Sequence, residues 1–494
     1  MFNEIFKHSR SFPNKTAIIN DNKKCSYFEL ISLVNNLKYK LSFLKLKENN
    51  IIAIENKNFF HFIAGSIALI RQGIICLPLT GDKDLSVYLI KESNARYILR
   101  STGDDYKSKF YFEELKEYNY RKKFPKFIPL KKNNKPAILY PTSGTSGKKR
   151  KIVVQGKKAL NSTMKYISEF MKLNSNLIEF IGSPPDNVFW FGRIRCCLGV
   201  GGTIVLNHNP TNPIVALNEI KKNNCNAITA DTSFHLMMIK YFKKRLLSLS
   251  NQIKWIKLSS QPVPLDKLKD LMNLFPKAKI IMGYGLTEAM RTTLIDYRKN
   301  LKRLNSVGTP QKGVKIKLYN DKKKNKNRDD IEEITIKGEN LALGYLNSKL
   351  ETKKKFKNNV FHTGDCGKID NKGFLYFKSR ADSIINIGGV SHSSEEILSV
   401  IKKKIDKCSS IIVGIDGIDD ILGSVPILLL EKNIYSKNFF ENLMKKKYKF
   451  NLQIMPRAIY DLSMFPKTKN GKILLSKLPK NLLDLKKLNK VWSV

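Results

Sequence analysis

Cysteine is scarce in this chain: seven in 494 residues, an odd number, scattered and without a Cys-x-x-Cys pair. That pattern excludes a disulfide-stapled scaffold and a zinc ribbon. Cys196 and Cys197 are adjacent, which suits neither a bond between them nor a shared metal. They read as buried spectators rather than a redox pair. Uninterrupted apolar runs of the ~18–20 residues that span a bilayer are missing. The opening MFNEIFK lacks the basic start and apolar stretch of a secretory signal. Reduced thiols, no membrane span and a cytoplasmic location are the expectations.

Arginine is scarce too. Of 89 basic residues 15 are Arg and 74 are Lys. The net charge of +47 invites a nucleic-acid or anionic-membrane reading. Sites for nucleic acid lean on the arginine fork, however, and no nucleic-acid motif is present. Abundant Lys, Asn and Ile point instead to drift toward AT-rich codons, so no specific nucleic-acid partner is expected. The charge still favours acidic partners at low salt. A hydrophobic content of 42% with 10% aromatics marks a folded, soluble chain. Its length exceeds the ~250–300 residues at which one core stops growing, so at least two domains are expected.

Short apolar runs at residues 51–55, 137–140, 202–206, 227–230, 253–258 and 279–283 read as strands. Helical stretches such as 58–71 and 264–275 separate them. The alternation indicates α/β architecture with largely parallel sheets, whose ligands bind beyond the carboxyl ends of the strands. From residue 305 the texture changes. Residues 314–319, 331–337 and 373–378 read as hairpin strands of a small β-rich subdomain. Residues 394–404 read as a helix, 411–415 and 424–431 as strands, and 437–447 as a last helix. The fold expected is a large N-terminal α/β domain over 1–379, carrying that β-rich subdomain. A separate small α+β unit beginning near 379–383 follows, as the C-terminal domain over 384–494.

Five segments have chemistry-bearing residues. YPTSGTSGKKRK at 140–151 runs from a strand into hydroxyls, glycines and cations, a composition suited to cradling phosphates. It is not a Walker A loop. MGYGLTE at 282–288 offers a flat ring in Tyr284, a hydroxyl in Thr287 and a hard oxygen ligand for Mg²⁺ in Glu288. HTGD at 362–365 ends in a carboxylate that suits ribose hydroxyls. Arg380 and Asp382 sit where the two units join. Lys472 lies on the glycine-flanked loop PKTKNGKI at 466–473. Taken singly, each also fits a plain structural part: a linker, a strand end with a core tyrosine, a common turn, a hairpin with a surface ion pair, a solvated lysine.

In this order and spacing the five segments resemble the adenylate-forming superfamily, which includes acyl-CoA synthetases, luciferases and the adenylation domains of nonribosomal peptide synthetases. The resemblance covers essentially the whole chain. SYFEL at 26–30, RQGIICLPL at 71–79, VGTP at 307–310 and KGENLALGY at 337–345 match further motifs. It implies activation of a carboxylic acid by ATP to an acyl-adenylate with release of pyrophosphate. The acyl group then passes to a thiol, either CoA or a separate acidic carrier protein. It also implies roles. Thr142, Ser143, Gly144, Thr145, Ser146 and Gly147 would hold the β- and γ-phosphates. Tyr284, with Gly285 beside it, would stack on adenine. Thr287 would contact the α-phosphate, and Glu288 would hold Mg²⁺. Asp365 would bind the ribose with Arg380 nearby. Asp382 would be the hinge, and Lys472 would bridge the attacking carboxylate and the α-phosphate.

The chain departs from the family pattern in places. The loop lacks the usual proline and last glycine, having Lys148, Lys149, Arg150 and Lys151 after Gly147. Gly156 stands where many members have His, and Ser379 where they have Gly. None of these removes a catalytic group. For the acid pocket the candidates are Asn187, Val188 and Trp190. In an approximate alignment Val188 stands where amino-acid activators carry the aspartate that binds a substrate ammonium, with Asp186 close enough that a small shift would supply one; Trp190 with Phe191 favours an apolar or aromatic acid, and core packing explains both aromatics equally well. About twenty residues follow Lys472, too few for a fused carrier, so the thiol is expected from CoA or a separate carrier. A degenerate basic binding protein is the alternative of another class.

Overall fold

The computed structural model describes the chain except residues 1, 56, 80, 82, 104, 106, 108, 115–133, 143–150, 184–187, 260–262, 320–331, 381–383, 388–389, 403–404, 406, 420–422, 446–454, 468–472, 480 and 494. Four sheets organise the described residues. The first has nine strands. Its parallel centre runs Lys279–Met282, Trp255–Lys257, Ala227–Ala230, Ile178–Gly182, Thr203–Leu206 and Thr16–Asn20. Apolar strands of this kind, buried on both faces, need helices on each side. Helices Val188–Gly199 and Lys157–Met171 cover one face; Pro213–Lys222, Thr232–Leu247 and Leu265–Leu274 cover the other.

The second sheet has seven strands, in the order Gly344–Tyr345, Ile152–Gly156, Pro136–Pro141, Ile75–Pro78, Ile51–Ile54, Tyr97–Ser101 and Phe110–Glu114. Pro136–Pro141 and Ile152–Gly156 form an antiparallel hairpin, whose strands are joined in sequence by residues 142–151. The expectation of largely parallel sheets therefore holds for the centre of the first sheet and less well here. A five-stranded antiparallel sheet follows, built on Val314–Tyr319, Glu332–Gly338, Val360–Ile369 and Leu375–Arg380. The last sheet has six strands, among them Ile384–Ile387, Ser409–Asp419 and Gly423–Glu431. Helices Ser394–Lys402 and Lys437–Lys445 pack into its core. A large N-terminal domain and a smaller C-terminal one result.

Local chemistry explains several boundaries. Ser26 starts the helix Tyr27–Ser42 through a reciprocal cap: its hydroxyl accepts from the Glu29 amide at 3.2 Å, and the Ser26 amide donates to Glu29 Oε2 at 2.8 Å. Asn58 caps Phe59–Arg71 one way, its Oδ1 accepting from the His61 amide at 3.0 Å. All seven cysteines are unpaired and six are buried. No helix among the described residues is long and apolar enough to cross a membrane.

His235, on Thr232–Leu247, is buried at 4% exposure, and its ring bonds the Lys257 backbone. Burial, with the nearby Lys257 charge, holds its pKa down to about 4. A depressed folded pKa means the unfolded chain takes the proton first, so stability is lost as pH falls from about 6.5 toward about 4. At about pH 5 the loss is about 2 kcal/mol relative to neutral pH. Urea denaturation of wild type and His235→Phe should show the acid slope flattened in the variant; equal slopes would contradict this.

Candidate active site

Three sheets meet at one turn. The strand Lys279–Met282 runs into an extended stretch that closes on itself: the Leu286 amide donates to the Ala289 carbonyl at 3.0 Å and the Ala289 amide to Leu286 at 3.2 Å. Thr287 and Glu288 occupy its tip. Gly285 is required by close approach, since a Cβ there would lie 2.7 Å from the Arg291 amide nitrogen and 3.1 Å from the Ala289 carbonyl oxygen.

The second sheet grips this turn. The Tyr345 hydroxyl donates to Glu288 Oε1 at 2.9 Å. Tyr345 itself lies in register with Val153, so Glu288 is tied to the loop-bearing hairpin. The Gln155 amide donates to the Thr287 carbonyl, and the Ala342 amide to the Glu288 carbonyl at 2.8 Å. At the end of that hairpin the Thr142 amide donates to the Lys151 carbonyl at 2.8 Å. Lys151 lies over the Tyr345 ring at 5.0 Å and pairs with Glu351. Of the expected phosphate ligands Thr142 is thus at the site, whereas Ser143, Gly144, Thr145, Ser146 and Gly147 lie outside the described residues.

The five-stranded sheet supplies the third side. Asp365 and Arg380 are register partners, with Arg380 Nη1 3.2 Å from Asp365 Oδ1. The Tyr284 hydroxyl donates to Asp365 Oδ2 at 2.7 Å. Gly364 takes a left-handed φ of +75°, which turns the chain so that Asp365 faces inward, 3% exposed. Phe377 lies 6.3 Å from Tyr284, ring centre to ring centre. Tyr284 is half-buried, and that burial, followed by the Asp365 charge, pushes its phenol well above the ordinary tyrosine range. Burial also raises the Glu288 carboxyl above the usual carboxylate value, against the opposing pull of the Tyr345 hydroxyl; the Arg380 charge reaches it as well. Among the described residues no group of three or more His, Cys, Asp or Glu side chains gathers to hold a metal.

Tyr284, Gly285, Thr287, Glu288, Asp365, Arg380 and Thr142 are therefore brought together. Val188 begins the helix Val188–Gly199, half-buried. Trp190 turns into the core between Phe59 and Phe62, 5.5 and 5.7 Å away. Asn187, Asp382 and Lys472 lie outside the described residues. Sequence reasoning missed the partners that hold the turn, Tyr345 and Gln155, because nothing local marks a tyrosine as the clamp of a distant glutamate. It also missed a set of buried cations. Arg193 forms a two-point ion pair with Glu179, both fully buried, at 2.8 and 2.9 Å. Arg291 and Lys257 are nearby, and the scarcity of arginine was the available signal.

The AMP-binding enzyme family model matches residues 5–346, and the chain belongs to that family. Along its length it is similar to oxalate–CoA ligase of Saccharomyces cerevisiae, 25% identical over 90% of this chain and 84% of the relative. It is similar to 2-succinylbenzoate–CoA ligase of Listeria monocytogenes, 25% identical over 97% and 99%. Tyrocidine synthase 3 of Brevibacillus parabrevis is 22% identical over 97% of this chain, which spans 8% of that protein. The fold matches o-succinylbenzoate CoA synthetase from Bacillus subtilis, solved in complex with its acyl-adenylate intermediate, with TM-score 0.79, 18% identity and coverage of 97% and 98%.

Because the Gly285 contacts are backbone atoms, Gly285→Ala should destabilise the protein by about 1–3 kcal/mol. A scanning calorimeter would read this as a lower Tm. An unaltered Tm would contradict the close packing described for the turn.

Proposed function

We propose that this enzyme activates a carboxylic acid with ATP to give an acyl-adenylate and pyrophosphate, and then transfers the acyl group to the thiol of CoA with release of AMP. The observation that carries the reading is the convergence of Thr142, Tyr284, Thr287, Glu288, Asp365 and Arg380 from three sheets. The two CoA ligases among the relatives, matched over nearly their full lengths, support CoA as the acceptor. Tyrocidine synthase 3 keeps a second reading in view, in which the acceptor is a separate carrier protein.

The chemical difficulty is charge, because a carboxylate must attack a polyanion. No covalent help from the protein is needed; alignment and neutralisation suffice. We assign adenosine to the Tyr284 ring and to Asp365 with Arg380, and the α-phosphate to Thr287. The triphosphate tail falls to the loop entered at Thr142. Glu288 would be the protein ligand for Mg²⁺. A single carboxylate suits an ion that keeps several waters and takes its other oxygens from phosphates, and that ion supplies neutralisation of the phosphate charge. Asp365, already engaged by the Tyr284 hydroxyl and the Arg380 guanidinium, is held in place and oriented for ribose hydroxyls. We place the hinge at 380–383, with Asp382 within it, and assign to Lys472 the mobile positive charge that meets the carboxylate and the α-phosphate.

Acid-dependent pyrophosphate exchange across a panel of carboxylic acids tests this reading. Lys472→Ala should slow exchange by on the order of 10²–10³, while thiol transfer from supplied acyl-adenylate survives. Near-normal exchange in that variant would remove Lys472 from the role.

A further inference from the structure

The helix Tyr27–Ser42 buries one face and leaves aromatic rings on the other. Leu30, Val34, Leu37 and Leu41 turn into the core of the N-terminal domain, which gives the helix the packing it needs to fold. On the opposite side Phe28 is 60% exposed, Tyr39 67% and Phe43, at the helix end, 66%. The spacing from 28 to 39 is about three turns and that from 39 to 43 about one, so the three rings share one stripe. The Tyr39 and Phe43 rings meet edge to face at 4.9 Å. Phe12, 47% exposed, extends the stripe beyond Phe28, since the Phe28 amide donates to the Pro13 carbonyl at 3.0 Å. The chain has 27 phenylalanines, and among the described residues Phe12, Phe28 and Phe43 are the exposed ones. Compositional drift would scatter such residues; here they gather on one face, as at an interaction surface.

The residues that border the rings select the partner. Lys38 lies about 80° to one side of Phe28 around the helix and Lys40 about 120° to the other. Lys38 is exposed; Lys40 is half-buried and gives one hydrogen to the Phe110 carbonyl at 2.8 Å. Lys24 stands exposed just before the helix and Lys45 just after it. The one acid of the helix, Glu29, is turned back onto Ser26. Ser32 and Ser42, the hydroxyls among the rings, donate to the Phe28 and Tyr39 carbonyls at 2.9 and 2.6 Å, so they enter a less polar medium already satisfied.

We infer that this face docks the protein on the surface of a membrane rich in anionic phospholipid. The rings settle among headgroups and upper acyl chains, and the bordering lysines meet lipid phosphates. A second copy fits badly, because two apposed faces would bring lysine borders together. Single-stranded nucleic acid also stacks on aromatic rings, but it draws on arginine, and this helix has none. The docking is independent of the adenylation reading and of the net charge.

Flotation of the full chain with vesicles provides the test, using phosphatidylcholine alone and an equimolar mixture with phosphatidylglycerol. At low salt wild type should partition onto the mixed vesicles about tenfold or more better than onto the neutral ones, and less as salt rises. Phe28→Gln, Tyr39→Gln and Phe43→Gln together should cut that partitioning by about tenfold or more. Lys24→Gln with Lys38→Gln should cut it by about threefold or more. Lys243→Gln with Lys244→Gln, on the helix Thr232–Leu247 across the first sheet, should bind as wild type does. In Phe43→Trp the added indole emission should shift to the blue on mixed vesicles and be quenched by brominated acyl chains, which reads contact even if the triple variant fails to fold. Absence of wild-type binding to mixed vesicles, or unshifted emission in Phe43→Trp, would overturn the inference. So would an equal loss in the Lys243 and Lys244 variant, which would assign the adsorption to bulk charge. A wild-type dimer in sedimentation velocity that the triple variant dissolves would give the face to a second copy. Binding of oligo-dT that the triple variant loses, with its vesicle binding kept, would give it to single-stranded nucleic acid; either result overturns the inference.

Discussion

Two hydrogen bonds, from Tyr284 to Asp365 and from Tyr345 to Glu288, tie three separately bonded sheets to a single turn. Each links residues distant in sequence, and each ends on a carboxylate proposed to serve the nucleotide. The turn carries Thr287 and Glu288 between them. Hydrogen bonds to charged groups are worth about 1.5–3 kcal/mol and neutral ones about half that, and the greater value of these two is positional. A carboxylate held by a tyrosine in a well-packed site does not need to be ordered when nucleotide arrives. Gly285 must lack a side chain because the turn packs directly against the Arg291 and Ala289 backbone.

Much of this was readable from the sequence. Apolar runs located the parallel strands 227–230 and 279–282 within a residue, because a strand buried on both faces has little tolerance for polar groups. The capping pair Ser26 and Glu29 was present as a motif before it was seen as geometry. The chemistry was suggested by five segments in order, from 140–151 to 466–473, through their joint resemblance to one family, and by no single segment. Long-range pairing was not readable. Nothing near residue 345 says that its two-residue strand would join the hairpin of Pro136–Pro141 and Ile152–Gly156. Trp190, a candidate for the acid pocket, lies in the core between two phenylalanines; an aromatic residue serves packing and recognition with the same side chain.

Charge separates surface from site in this protein. Lysine outnumbers arginine about fivefold, and composition alone would scatter lysine over every basic position. Yet Arg193, Arg195 and Arg291 are all buried around one helix. Arginine's planar fork can satisfy several carbonyls or a carboxylate at once without losing its charge, as Arg291 does on Val188 and Phe189 and Arg193 does on Glu179. The overall charge of +47 therefore says little about partners, while the few arginines of the interior serve the packing around one helix.

The central claim is that the acid's own oxygen attacks the α-phosphorus of ATP. Carboxylate labelled with ¹⁸O, followed by turnover with CoA and mass analysis of the nucleotide, tests it directly. The account predicts AMP that carries one labelled oxygen in its phosphate, since thioester formation breaks the acyl–oxygen bond and leaves that oxygen on phosphorus. Label in inorganic phosphate with ADP as product would mean attack at the γ-phosphorus, and would contradict it.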